Sequence, residues 1–91
     1  MEKEDFIKLV YINEFHNYLF SKNYSENTIL SYINDLYFFY EFVKKELVNV
    51  VEDDIRDYLE YLNLKKEKTT SISRKISTFK SFYKFLINVI Y

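Results

Sequence analysis

The sequence predicts an all-α fold, a compact bundle of four helices formed by one domain of 91 residues. Apolar residues recur at three- and four-residue steps through almost the whole chain, which is the spacing of one helix face. Hydrophobic residues make up 48% of the sequence and aromatic residues 21%, so bulky side chains can fill a small core. The stretches between the apolar patterns are short, as in a helical bundle. We therefore expect a single folded domain over residues 1–91.

The first helix is predicted from about Asp5 to Lys22. Its core face carries Leu9, Ile12, Phe15 and Leu19. We expect the helix to stop at Asn23, because asparagine adopts the left-handed cap conformation best after glycine. His16 lies beside the core face, and we interpret it as a structural or surface residue rather than a ligand.

The second helix is predicted from Glu26 to about Lys45. Ser25 is a good N-cap, because its hydroxyl can accept a hydrogen bond from the first turn, and Glu26 suits the positive end of the helix dipole. The core face of this helix consists of Ile29, Tyr32 or Ile33, Leu36, Phe39, Tyr40 and Val43.

A short apolar connector over residues 47–51 precedes the third helix, which is predicted over about residues 53–62. Ile55, Leu59 and Leu62 face inward at helical spacing. Acidic residues gather at the start of this helix, where the helix dipole favours them. We expect these acids to form a solvated face turned away from any acidic partner.

The fourth helix follows a polar loop over residues 65–70. It is predicted to begin near Thr70 or Ser71 and to continue to about Asn88. At 100° per residue its apolar side chains fall on one narrow stripe. The stripe residues are Ile72, Ile76, Phe79, Tyr83, Leu86 and Ile90.

The net charge of −1 conceals a division along the chain. Residues 1–60 hold six basic and thirteen acidic side chains, a balance of −7. Residues 61–91 hold seven basic side chains and one acid, Glu67, a balance of +6. This asymmetry indicates that the C-terminal third of the chain binds a partner through its positive charge.

The composition argues against catalysis. The sequence has no Cys, which excludes a disulfide framework and thiolate metal sites, and no Gly, which excludes glycine loops that cradle phosphates. One histidine is too few for a His-based triad or a multi-histidine metal site. We therefore expect no catalytic residue, metal ion, cofactor or small-molecule substrate. Without an apolar run of about 18 residues or a basic N-terminal signal region, we also expect a cytoplasmic protein that does not enter membranes.

The polar side of the fourth helix is the most informative surface that the sequence predicts. Its residues are Arg74, Ser77, Thr78 and Ser81, flanked by Lys75, Lys80 and Lys84. No acid follows Glu67 to balance these cations. Cations and short hydroxyls without counter-charges suit the DNA backbone, and a helix fits the major groove. A solvated lysine-rich face gives the same pattern, so charge and periodicity leave both interpretations open.

Three ordered blocks of sequence carry a resemblance to a known family. The blocks are Ser25-Glu26-Asn27-Thr28 followed by Tyr32 and Asp35-Leu36, then Asp54-Ile55-Arg56-Asp57-Tyr58-Leu59, then residues 73–86, SRKISTFKSFYKFL. Together they cover nearly the whole chain, in the expected order and at the expected separations. The sequence resembles the N-terminal core-binding domain of Xer-type tyrosine recombinases and phage integrases.

The resemblance implies a SAM-like all-α domain that contacts one face of a recombination half-site in double-stranded DNA. The residues at matching positions, which are expected to face the duplex, are Asn27, Thr28, Tyr32, Arg74, Lys75, Ser77, Lys80, Ser81 and Lys84. The resemblance also implies that the family's catalytic residues belong to a C-terminal domain that this sequence lacks. We accordingly assign no nucleophilic role to Tyr91.

Aromatic residues exceed what the predicted stripes need. In the second helix Tyr37, Phe38 and Phe42 lie beside the core face, where they form either additional core or a contact with a neighbouring protomer. This surplus keeps an alternative function open, a helical protein interaction module that binds no nucleic acid. Structural roles are expected for Phe79, Phe82, Tyr83 and Phe85, although Phe85 falls near the polar face by angle.

Overall fold

The computed structural model describes the backbone of residues 1–90 and the side chains of residues 1–89. The helices are α1 (Lys3–Ile7), α2 (Val10–Ser21), α3 (Glu26–Val43), α4 (Glu52–Leu64) and α5 (Thr69–Ile90), with a short 3-10 turn at Leu47–Asn49. The predicted all-α class is confirmed, and residues 1–90 contain no strand. Within the same range, no helix combines the length and the apolar character needed to cross a membrane.

The predicted first helix is two helices, because the chain leaves the helical conformation at Leu9, with φ −59° and ψ 139°. In one continuous helix Phe6 would point roughly 150° away from the buried stripe of α2, at 100° per residue. The break turns α1 so that Phe6 is fully buried. Its ring lies 5.4 Å from that of Tyr37 and 5.5 Å from that of Tyr40 in α3.

The turn between α2 and α3 follows the sequence prediction. Asn23 has a φ of 67°, the left-handed conformation expected of it. The Ser25 hydroxyl accepts a hydrogen bond from the backbone N–H of Thr28 at 3.2 Å and so caps α3. Both predictions rest on local backbone chemistry, and both are confirmed.

At two further helix ends, a residue adopts the left-handed conformation although the sequence does not predict it. Lys44 ends α3 with a φ of 54°, and Lys66 follows α4 with a φ of 61°. Glycine normally takes such positions because it has no Cβ atom to collide with the backbone. This chain has no Gly, so lysine adopts the same conformation there.

The connector between α3 and α4 is fixed to the bundle by side chains. Leu47 is fully buried in the core. The Asp54 carboxylate accepts a hydrogen bond from the backbone N–H of Val51 at 2.8 Å, which caps α4. Lys45 forms an ion pair with the same carboxylate at 2.6 Å, and this hydrogen bond is the main reason that the pKa of Asp54 is lowered.

The core is rich in aromatic side chains contributed by every helix. Its buried apolar residues are Phe6, Ile12, Phe15, Leu19, Ile29, Ile33, Leu36, Phe39, Leu47, Tyr58, Leu62, Phe79, Phe82, Phe85 and Leu86. Their rings meet at tilted or edge-on angles, as in the contact of Phe39 with Phe79 at 4.7 Å and of Phe15 with Phe82 at 5.2 Å. Such pairs add to the free energy gained by removing apolar area from water. The structural roles expected for Phe79, Phe82 and Phe85 are confirmed.

The buried face of α5 differs from the predicted stripe by almost a quarter of a turn. Phe82 and Phe85 are buried, whereas Ile72, Ile76 and Tyr83 are only half-buried. Phe82 and Phe85 pack against α2 rings, and this contact rotates the helix away from the orientation that its own apolar residues predict. The last predicted stripe member, the side chain of Ile90, and the whole of Tyr91 lie outside the described residues.

Candidate nucleic-acid interface

A buried carboxylate joins α3 to α5. Asp35 is fully buried, and it accepts hydrogen bonds from Arg74 at 2.9 and 3.0 Å and from Lys75 at 3.1 Å. The hydroxyl of Thr78 donates a fourth hydrogen bond at 3.1 Å. A charge can be buried at acceptable cost only when it is paired and hydrogen-bonded, and all of these conditions are met here. We refer to these four residues as the Asp35 cluster.

The Asp35 cluster corrects two expectations about α5. Lys75 is 8% exposed and Thr78 is fully buried, so their predicted place on the exposed polar side is wrong. The physical reason is the partner on α3, because a buried carboxylate needs cations and donors within hydrogen-bond reach. The ammonium group of Lys75 is hydrogen-bonded to Asp35 inside the bundle. At this position it is not accessible to an external partner.

Arg74 belongs to the same cluster but reaches the surface, and 44% of its side chain is exposed. Its Nε and Nη2 atoms donate to the two carboxylate oxygens of Asp35. These hydrogen bonds raise the pKa of Arg74 further above its ordinary value. The guanidinium is therefore fixed on its inner side and open to solvent on its outer side.

The exposed side of α5 keeps the remaining predicted residues. Ser77, Lys80 and Lys84 are exposed, and Ser81 is half-buried. Among the residues that the structure describes, no acid forms an ion pair with Lys80 or Lys84. We call Arg74, Ser77, Lys80, Ser81 and Lys84 the basic face of α5.

The predicted residues of α3 lie on its first turns. Asn27 and Thr28 are exposed, and Thr28 is held in the cap because its Oγ1 accepts a hydrogen bond from Ser25 at 2.9 Å. Tyr32 is half-buried, with its ring 5.9 Å from that of Tyr24. Burial, Tyr24 and the nearby Asp35 raise the pKa of Tyr32, so it is a neutral hydroxyl at physiological pH.

Asp35 is the residue that connects these two sets. Thr28 and Tyr32 precede it by seven and three positions, which places them on the same side of α3. Arg74, the first residue of the basic face, is bonded directly to it. The Asp35 cluster thus holds the first turns of α3 and the basic face of α5 in a fixed relation.

Asp35 stands in the first of the three sequence blocks, but no role is predicted for it there. The available signal was its position among the core residues of the second helix, since Ile33 before it and Leu36 after it are both buried. A carboxylate at such a position requires a cationic partner. Tyr24, which packs on Tyr32, was also missed, and its place after the left-handed Asn23 gave no signal.

Of the acids at the start of α4, Glu52, Asp53 and Asp57 are exposed, as predicted, whereas Asp54 is half-buried and paired with Lys45. Arg56 pairs with Glu52 at 3.2 Å and with Asp53 at 2.9 Å, and both acids are more than three-quarters exposed. His16 lies at the surface beside Glu26, with Nε2 3.0 Å from the carboxylate, in agreement with a structural or surface role. Across residues 1–90, no group of three or more His, Asp or Glu side chains is arranged to hold a metal ion.

Comparison with known proteins decides the family. The model of the phage integrase N-terminal SAM-like domain matches residues 12–88 of this chain. The chain belongs to this family. The fold and the resemblance predicted from the sequence are both confirmed by this match.

Curated relatives of this SAM-like domain are tyrosine recombinases. The chain is 41% identical over 81 residues to the tyrosine recombinase XerC of Anoxybacillus flavithermus, covering 84% of the chain and 27% of the relative. It is 47% identical over 79 residues to XerC of Leptospira interrogans, covering 81% and 25%. It is 45% identical over 67 residues to XerD of Rickettsia conorii, covering 70% and 22%.

The chain therefore spans about a quarter of the length of the curated relatives that it matches. No solved structure gives a significant match to this SAM-like domain. Membership of the family thus rests on sequence, and the geometry of the basic face comes from this structure alone.

Proposed function

We propose that this SAM-like domain binds double-stranded DNA as the core-binding module of a tyrosine recombinase and contacts one face of a recombination half-site. The observation that carries the proposal is the basic face of α5. Its lysines, Lys80 and Lys84, are exposed and have no acidic partner among the described residues. Because phosphates attract such cations and release counterions on binding, this face suits the DNA backbone.

The start of α3 contributes neutral donors in this proposal. Asn27 and Thr28 are exposed on its first turn, and the neutral hydroxyl of Tyr32 lies one turn further on. Side-chain amides and hydroxyls commonly bind phosphate oxygens, and such contacts fix orientation on the duplex without reading sequence. We propose that these three residues orient the domain while the lysines of α5 supply most of the attraction.

Lys75 has no place among the proposed phosphate contacts. Its ammonium is bonded to Asp35 inside the bundle, and only 10% of its side chain is exposed. The binding surface on α5 therefore consists of Arg74, Ser77, Lys80, Ser81 and Lys84.

We further propose that this domain works within a protein that performs site-specific recombination through a separate catalytic domain. Two observations support this. The curated relatives are named tyrosine recombinases, and the chain corresponds to about a quarter of their length. In such a protein the domain holds DNA while residues elsewhere break and rejoin strands.

A salt titration tests the proposal. The Lys80→Ala/Lys84→Ala variant should bind duplex DNA more weakly than the wild type. Its log–log dependence of affinity on salt should be shallower by about two units, one for each lost phosphate contact. Fluorescence anisotropy with a labelled duplex measures both quantities at several salt concentrations.

The matched control removes the same number of charges from another part of the surface. Lys3→Ala/Lys8→Ala changes two exposed lysines in and beside α1. Its affinity and slope should stay close to those of the wild type. Equal losses in both double variants would mean that binding follows total charge alone, and an unchanged Lys80→Ala/Lys84→Ala variant would contradict the assignment of α5.

One observation favours a second function, a helical module that binds another protein. Phe38 in α3 is 50% exposed, and Tyr61 and Leu64 in α4 are 43% and 75% exposed. Exposed aromatic clusters are typical of protein interfaces. If the domain shows no salt-dependent affinity for duplex DNA but forms a specific complex with a protein through these residues, this second function replaces the first.

A further inference from the structure

Two cations share the single buried carboxylate of Asp35, and they differ in exposure. The Lys75 side chain is 10% exposed, whereas that of Arg74 is 44% exposed. The two cations exceed the carboxylate by one positive charge. Because Arg74 is the more exposed of the two, this excess lies at the surface on its guanidinium.

The guanidinium of Arg74 is held by its inner edge. An arginine has five N–H donors in a planar fork, and Asp35 takes one from Nε and one from Nη2. Within the described part of the chain, Nη1 has no hydrogen-bond partner. The outer edge of the fork thus keeps donors that point away from the carboxylate, towards solvent.

We propose that Asp35 is a positioning residue for DNA binding, which fixes the Arg74 guanidinium so that its outer N–H groups meet a backbone phosphate. This inference rests on the proposed function and assigns a separate role to each of three residues of the Asp35 cluster. Lys75 neutralises the carboxylate, Asp35 orients the fork, and Arg74 contacts the phosphate. A long side chain that is already immobilised loses less conformational entropy when it binds.

The inference predicts a change in DNA affinity that is opposite to the change expected from charge alone. A carboxylate close to a polyanion repels it, so replacing Asp35 by Asn would strengthen DNA binding if charge alone mattered. If Asp35 positions Arg74, the same Asp35→Asn variant should bind DNA about tenfold more weakly, the scale of one charge-assisted hydrogen bond. Affinity equal to or above that of the wild type overturns the inference.

A double-mutant cycle separates positioning from a general effect on the fold. Asp35→Asn, Arg74→Ala and the double variant are compared by anisotropy, with circular dichroism confirming that each is folded at the temperature of measurement. If Asp35 acts through Arg74, adding Asp35→Asn to Arg74→Ala should cause no further loss of affinity. Independent, multiplying losses would show that Asp35 does not act through Arg74.

The Arg74→Lys variant tests the inference independently if the Asp35→Asn variant fails to fold. Lysine carries the same charge, but it cannot form the planar fork that spans the carboxylate and a phosphate together. We expect its salt dependence to match that of the wild type, while its affinity falls about tenfold. Wild-type affinity in Arg74→Lys would mean that charge suffices, and the inference would be wrong.

Tyr83→Phe is the matched control, because it removes one hydrogen bond from α5, that of the Tyr83 hydroxyl to the Leu47 carbonyl, and leaves both bonds from Arg74 to Asp35 in place. It should lower stability and leave the DNA affinity of the folded protein unchanged. Failure of the proposed function has a different signature. In that case the wild type lacks salt-dependent binding and Lys80→Ala/Lys84→Ala changes nothing, which overturns both proposals. If those lysines matter but the Asp35 and Arg74 variants bind normally, only the positioning inference falls.

Discussion

The hydroxyl of Tyr83 donates a hydrogen bond to the backbone carbonyl of Leu47 at 3.0 Å, and so fastens the connector between α3 and α4 onto α5. Leu47 itself is fully buried. Burial raises the pKa of Tyr83, with nearby Tyr11 and Asp54 adding to the effect. The phenol thus remains protonated and keeps its proton on the carbonyl far into the alkaline range.

Replacing Tyr83 by Phe should remove this hydrogen bond and little else. The Leu47 carbonyl then keeps the weaker bond from the backbone N–H of Val50 at 3.3 Å. We expect the free energy of unfolding to fall by about 1 kcal/mol, the usual cost of such a loss. Urea denaturation followed by circular dichroism measures this change.

Tyr61→Phe is the control for that experiment. Tyr61 is 43% exposed, and the structure gives its hydroxyl no hydrogen bond within residues 1–90. The Phe variant keeps the ring contact with Phe42 and should unfold at the wild-type urea concentration. Equal losses in the two variants would show that the bond to Leu47 contributes nothing specific.

Stability should fall steeply at alkaline pH. Burial raises the pKa of Tyr11 and of Tyr58 to about 12, and that of Tyr83 is raised as well. In the unfolded chain these phenols ionise near pH 10. Below that pH both states keep the protons, and above it the unfolded state releases protons that the folded state retains. The free energy of unfolding therefore decreases as pH rises from about 10 towards 12.

Urea unfolding on both sides of pH 10, together with the ultraviolet absorbance of tyrosinate, checks this expectation. Tyrosinate absorbance should appear in two stages, first from exposed phenols and then together with unfolding. In Tyr83→Phe one of these three buried phenols is gone, so the alkaline loss should be shallower. A free energy of unfolding that stays level above pH 10 would contradict the burial of these phenols.

Removing the backbone strain at the left-handed residue Lys44 should stabilise the domain. Lys44 ends α3 with a φ of 54° and a ψ of 39°, a conformation that costs a non-glycine residue about 1–2 kcal/mol. Lys44→Gly removes this strain, while the more flexible unfolded chain offsets part of the gain. We expect a net stabilisation of about 0.5 kcal/mol, measured as a higher midpoint of thermal or urea unfolding.

Lys8→Gly provides the comparison, because Lys8 has a right-handed φ of −87°. Glycine relieves no strain there and should lower stability. If both glycine variants lose stability equally, the left-handed conformation of Lys44 is not strained.

Local chemistry explains which parts of the fold the sequence predicts. Asn23 and Ser25 act on their own backbone, so the end of α2 and the start of α3 follow from the residues themselves. The break before α2 does not, because it depends on Phe6 reaching two rings more than thirty positions away. The spacing of apolar residues along the chain does not predict that contact.

For the candidate site, too, the sequence alone does not predict contacts between distant residues. Lys75 and Lys80 are alike in charge and in helical context, yet Lys75 is buried and Lys80 is exposed. What separates them is Asp35, forty positions before Lys75 along the chain. The charge pattern of the sequence predicts an excess of cations on α5, but only the packing of α5 on α3 shows which of these cations face outward.

The exposed aromatic residues of α3 provide the last prediction. Phe38 is 50% exposed, and among the described side chains its ring contacts only that of its neighbour Tyr37, whereas Phe42 packs on Tyr58 and Tyr61 at 5.1 and 5.0 Å. Phe38→Ser should therefore change stability by less than about 0.5 kcal/mol. Phe42→Ser should cost about 1–2 kcal/mol, because two ring contacts are lost.

If Phe38 contacts a neighbouring protomer on DNA, Phe38→Ser should reduce cooperative binding to duplexes long enough for two copies and leave binding to short duplexes unchanged. Gel-shift titrations of the protein with both duplex lengths measure this difference. Phe20→Ser is the control, since Phe20 is 65% exposed on α2. Unchanged cooperativity in Phe38→Ser would leave Phe38 without a role in assembly, whereas a loss confined to that variant would identify this side of α3 as the protomer contact.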